Sequence, residues 1–177
     1  MPAAAFVEKL NTQIANEFAA SQQYIAVAIY YDAETLPRLA AFFYAQALEE
    51  RNHAMMMVKY LLDADVEAEI PGVTGPRNGF ADIVEPVTIA LAQEKKVTQQ
   101  IEGLMAVARE HSDFQSEQFV QWFLKEQVEE VATMSDLLRT VERARENPMW
   151  AEEYLAREHG TEPIADATAP AAAGGAV

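Results

Sequence analysis

The chain contains no cysteine, which removes disulfides, zinc knuckles, thiolate iron–sulfur ligation and cysteine nucleophiles together. Such a composition suits the cytoplasm, where disulfides are rare. Long apolar runs are missing too: no stretch approaches the roughly 20 residues needed to span a bilayer. The residues from Met1 to Glu8 lack a basic start followed by an apolar core, so no signal peptide is expected. Basic residues are few, 13 against 28 acidic ones, for a formal net charge of −15. Such a surface repels nucleic-acid phosphates and attracts cations. Neither a nucleic-acid partner nor a membrane is therefore expected.

What the chain does have is long helical periodicity. The spacing of apolar residues predicts an all-α domain over residues 1–158, with helices over about 5–31, 36–64, 82–110, 113–145 and 149–158. No Gly or Pro interrupts the first segment, whose apolar face holds Leu10, Ile14, Tyr24 and Tyr31, widened by Phe6, Phe18 and Ile25. Thr35 is the expected N-cap of the second helix, with Pro37 in its first turn. Ser112 and Gln115 have the spacing of a capping box for the fourth. The short break at 32–35 makes the first two helices an antiparallel hairpin, and 111–113 breaks the third helix from the fourth. Between Val66 and Ile83 stand Pro71, Gly72, Gly75, Pro76 and Gly79, too long a break for a hairpin. It reads as a crossover along a four-helix bundle, with helices two and three parallel. Residues 159–177 are rich in Ala, Gly and Pro, without Lys or Arg, and are expected to form a disordered tail.

Each long helix has its apolar seam broken near the middle by polar residues. The interruptions are Glu17 in the first, Glu50 and His53 in the second, Glu94 in the third, and Gln127 with Glu130 in the fourth. Glu50 and His53 are three apart and project from one face, which lets a carboxylate and an imidazole reach one metal ion. Buried carboxylates are paired, neutralised or bound to metal. In an antiparallel bundle the four interruptions meet in one layer, close to the ligand inventory of di-iron carboxylate bundles, although a second Glu-x-x-His is absent. The Met55-Met56-Met57 run is expected to be adaptable core filler. His111 and His159 are expected to be ordinary polar residues near helix ends.

Over about residues 5–158 the chain resembles the bacterial non-haem ferritins. The motifs are Asn16-Glu17-Phe18 with Tyr24, Glu49-Glu50-Arg51-Asn52-His53-Ala54, Glu94, Trp122, and Glu126-Gln127 with Glu129-Glu130. Bacterioferritins carry a haem-ligating Met directly after the bridging Glu; Arg51 stands there, so no haem is expected. The final residues have no counterpart in the family pattern.

The resemblance implies a ferritin-like bundle with a short fifth helix. It also implies oxidation of Fe(II) by dioxygen or peroxide at an intrasubunit di-iron ferroxidase site, and storage of Fe(III) as mineral in a shell of twenty-four subunits. Glu17, Glu50 and His53 would hold the first iron, with Glu50 bridging to a second held by Glu94 and Glu130 near Gln127. Glu49, Glu126 and Glu129 would form a third iron position, and Tyr24 would support a ligand or supply an electron. Asp113 and Glu117 would line a pore admitting iron. Two rival readings stay open on residues alone: a di-iron oxidase or peroxidase that stores nothing, and a purely structural bundle.

Overall fold

The periodic segments become five helices in a computed structural model that describes residues 1–158 and 166–176. They are α1 (Ala4–Ala33), α2 (Pro37–Asp63), α3 (Glu85–Glu110), α4 (Phe114–Arg143) and α5 (Met149–Glu158), with no strand among the described residues. α1 packs along α2 and α3 along α4, while α1 also meets α3. The crossover is tied along α1 in α1's own direction: Glu69 N–H donates to Asn11, Arg77 N–H to Gln23, and the Tyr31 hydroxyl to the Ile83 carbonyl. α3 thus begins beside the end of α1, where α2 also begins, and α2 and α3 run parallel.

The helix ends differ from expectation in an instructive way. Thr35 adopts φ 61° and closes α1, leaving Leu36 at the N-cap of α2 without a side-chain acceptor. The vacant role goes to Glu152 of α5, whose carboxylate accepts from the amides of Arg38 (2.8 Å) and Leu39 (2.9 Å). A buried anion at a helix N-terminus satisfies otherwise orphaned donors and complements the dipole. Ser112 likewise takes a left-handed φ of 52°, so the cap of α4 moves one residue on, to Asp113. Asp113 accepts from Ser116 N–H (3.1 Å), the Ser116 hydroxyl (2.6 Å) and Ala3 N–H (2.9 Å), joining the starts of α4 and α1. Asp82, expected inside α3, instead caps it from outside, accepting from Val84 and Glu85 amides at 2.9 Å.

Two apolar clusters fill the bundle. One gathers Tyr24, Tyr31, Phe43, Val87, Leu137 and Leu155 among others; the second gathers Phe6, Leu10, Met57, Ile101, Leu104 and Phe123. Fully burying such a side chain stabilises the fold by about 1.5–3 kcal/mol. Met56 and Met57 belong to the second cluster as filler. Ile25 does not widen the buried face of α1; it is 42% exposed.

The C-terminal residues were expected to be disordered, yet residues 166–176 lie against the bundle. Ala169, Ala172 and Ala173 pack on the second cluster, and Ala173 N–H donates to the Met55 carbonyl at 3.0 Å. Composition argues against burial of large side chains, but alanines let the backbone itself approach a helix. His159 lies outside the described residues.

Candidate metal centre

Between the two apolar clusters sits the polar layer. Glu17, Glu50, His53, Glu94, Gln127 and Glu130 are all buried, with exposures from 0% (Glu94) to 5% (Glu130). Helical period alone brings them together, because each takes an inward position at the same level of its helix. Two sets of ligand atoms lie within 4.8 Å of one another: Glu17 with Glu50 and His53, and Glu50 with Glu94 and Glu130. Glu50 belongs to both. His53 Nδ1 is 3.4 Å from Glu50 and 3.9 Å from Glu130, and a further grouping joins Glu49, His53 and Glu130.

Among the described residues, the only ion-pair partner of these carboxylates is the His53 imidazole, beside Glu50 and Glu130. Glu17 Oε2, Glu50 Oε2 and Glu130 Oε1 are buried without a hydrogen-bond partner. Burial first, then the charges of Glu130, Glu94 and Glu17, pushes the Glu50 carboxyl well above the ordinary range. Burial and then Glu94 do the same to Glu130. Glu94 is raised by burial against an opposing hydrogen bond from Tyr24. Tyr24, fully buried, donates its hydroxyl to Glu94, and burial followed by that carboxylate raises its own pKa strongly. Buried acids crowded without counter-charge are a destabilised arrangement unless cations bind there.

The remaining expected residues take supporting places. Gln127 donates to Glu130 and, at 3.4 Å, to Glu94, while its carbonyl accepts from Thr98 at 2.9 Å; in this geometry it braces carboxylates. Glu49 and Glu126 are half-buried, and burial followed by the Glu49 charge raises the Glu126 carboxyl. Glu129 is exposed, 3.9 Å from Lys125. Asp113 and Glu117 already have structural partners, Asp113 as a cap and Glu117 in a 2.9 Å pair with Arg109. His111 is exposed with Nδ1 at the Val107 carbonyl. Sequence reasoning missed Gln13, which is buried and donates to Glu17 at 2.7 Å. Its place four residues before Glu17, on the same face, was the available signal.

The ferritin-like domain matches residues 7–144. The chain belongs to the ferritin family. It is 55% identical to ferritin BfrB of Mycolicibacterium smegmatis over 168 residues, 95% of this chain and 92% of that one. With the bacterial non-heme ferritin of Staphylococcus aureus the identity is 39% over 126 residues, 71% of this chain and 76% of the other. Among solved structures, an open pore ferritin from the archaeon Archaeoglobus fulgidus superimposes with a TM-score of 0.84 at 26% identity, covering 88% and 98%. As a ferritin the chain is an iron-storage protein of a family whose members oxidise iron, and the buried carboxylate–histidine layer is a candidate di-iron site. No described helix is long and apolar enough to cross a membrane.

Proposed function

We propose that Glu17, Glu50 and His53 bind one Fe(II), that Glu94 and Glu130 bind a second, and that Glu50 bridges them. The supporting observation is that the Glu50 carboxylate is common to both ligand sets. The ligand chemistry agrees with it, since carboxylate and imidazole suit iron and favour the harder Fe(III) as charge grows. Four carboxylates (Glu17, Glu50, Glu94 and Glu130) match the charge of two Fe(II) ions. Oxidation to Fe(III) leaves excess positive charge, which favours departure toward further carboxylates. Glu49, Glu126 and Glu129 supply these as a third, weaker position leading outward.

This chain's own residues prepare the substrate. Gln13 holds one oxygen of Glu17 and leaves the other free; Tyr24 orients Glu94, and Gln127 orients Glu130. Binding of Fe(II) displaces the protons that burial and crowding keep on Glu50 and Glu130. Dioxygen or peroxide is the oxidant, Fe(III) is stored inside a homo-oligomeric shell of twenty-four subunits, and the protein works in the cytoplasm. No haem takes part; Arg51 follows Glu50 where a haem-binding relative carries Met. The outward Glu49, Glu126 and Glu129 favour storage over a di-iron oxidase that retains its iron.

The test is oxygen consumption after adding about two Fe(II) per chain to metal-free protein. Glu50→Ala should slow the fast phase far beyond the roughly 10–100-fold typical of losing an outer supporting residue. Glu129→Ala should spare that phase and slow later turnovers. Parent-like kinetics in Glu50→Ala would dismiss the bridging role.

A further inference from the structure

The C-terminal segment is fastened at two points, one on each side of the α2–α4 seam. On α4, the Trp122 indole N–H donates to Asp166 Oδ2 at 3.1 Å, and Lys125 Nζ reaches the same oxygen at 3.3 Å. On α2, the Met55 carbonyl accepts from Ala173 N–H at 3.0 Å, two residues beyond His53. The Asp166 carboxylate is itself held in one orientation, because Oδ1 accepts from Thr168 N–H (2.8 Å) and the Thr168 hydroxyl (2.6 Å). Those bonds first, then the one from Trp122, keep its carboxyl below the ordinary range and hence ionised. Trp122 in turn packs edge-on against His53, ring centroids 5.7 Å apart at 74°. Phe123 does the same at 5.7 Å and 78°. Edge-to-face aromatic contacts fix ring planes, and the groups behind a metal-binding imidazole set its direction.

We propose that Asp166 is a positioning residue for the metal centre: by gripping the Trp122 indole it fixes the packing of that ring on His53, so the C-terminal segment works as a strap over the α2–α4 side of the site. This rests on reading His53 as an iron ligand. Asp166 bonds to Trp122, Lys125 and Thr168 and to none of the carboxylate layer. Its influence passes through one hydrogen bond and one ring contact.

The experiment compares Asp166→Ala, Asp166→Asn, Trp122→Phe and Asp166→Ala/Trp122→Phe in the full-length assembled protein. Three readouts are used: the initial rate of Fe(II) oxidation, the anaerobic affinity and visible spectrum of Co(II), and Trp122 emission in a Trp150→Phe background, Trp150 being the second of the chain's 2 tryptophans. Loss of one charge-assisted hydrogen bond should slow Asp166→Ala by about 3–10-fold, with a similar loss of Co(II) affinity and shifted Co(II) bands. Its Trp122 emission should move to longer wavelength. Asp166→Asn keeps an acceptor for the indole and should stay within about twofold of the parent. Adding Asp166→Ala to Trp122→Phe should change nothing further. Parent-like behaviour of Asp166→Ala in all three readouts overturns the proposal. Equal losses in Asp166→Ala and Asp166→Asn, additive with Trp122→Phe, overturn it as well by moving the effect to charge at Lys125. Failure of the underlying reading looks different: His53→Ala would then keep the parent's Co(II) spectrum, whatever Asp166 does.

Discussion

Replacing Glu50 by glutamine should stabilise the metal-free protein and remove its stabilisation by iron. Glu50 is 1% exposed, and its ligand sets place carboxylate oxygens of Glu17, Glu94 and Glu130 within 4.8 Å. At 4.8 Å and an effective dielectric of about 20, two full negative charges repel by about 3.5 kcal/mol. Burial first, and this repulsion after it, make the Glu50 carboxyl hold its proton well above the ordinary range. Between the ordinary glutamate value and the raised one, the folded protein binds more protons than the unfolded chain. Its stability thus falls as pH rises through that window and returns as pH drops below it. Glutamine keeps the shape without the charge, so the expected gain near neutral pH is about 1–3 kcal/mol. In a chain of this size each kcal/mol is worth roughly 2–4 °C in Tm. Calorimetry of the two metal-free proteins should show a difference that widens as pH rises above the ordinary glutamate range toward neutrality. Anaerobic Fe(II) at about 100 times its Kd should then stabilise the parent by about 2.7 kcal/mol and Glu50→Gln by much less. A metal-free Glu50→Gln that melts below the parent near neutral pH would refute the argument from crowded charge.

Three other perturbations have definite expected outcomes. Tyr24→Phe removes the donor that lowers the proton affinity of Glu94; Fe(II) affinity should drop about 5–10-fold, more at pH 6 than at pH 8, as anaerobic titration will measure. Because Glu50 and Glu130 hold their protons above the ordinary range, Fe(II) binding should release protons and weaken as pH falls, which calorimetric titration in buffers of different ionisation enthalpy will reveal. Glu152→Ala strips the buried carboxylate from the Arg38 and Leu39 amides; the fold should lose about 1–3 kcal/mol in denaturant unfolding, while the oxidation rate per folded chain stays unchanged.

The fold and the buried polar layer of the candidate site were legible in the sequence for the same reason. Helical period carries apolar seams and their interruptions alike, so Glu17, Glu50, His53, Glu94, Gln127 and Glu130 emerged together with the bundle that buries them. Residues acting across long separations were not legible. Glu152 caps a helix 113 residues earlier along the chain, and Asp166 meets Trp122 across 44. Neither pairing leaves a periodic trace. Helix starts failed locally, because Thr35 and Ser112 have good capping side chains but are drawn into left-handed conformations that end the preceding helices. The tail was misjudged by composition, which measures side chains and ignores close approach of an alanine backbone to Met55.

Aerobic titration of the metal-free, full-length protein with Fe(II), following iron that stays soluble per chain, tests the central claim most directly. A carboxylate centre feeding a store should keep iron in solution far beyond the two ions proposed to bind Glu17, Glu50, His53, Glu94 and Glu130. Glu50→Ala should precipitate most of the same load. Saturation of the parent at two or three irons per chain, with the surplus precipitating, would contradict storage and leave only a di-iron oxidase.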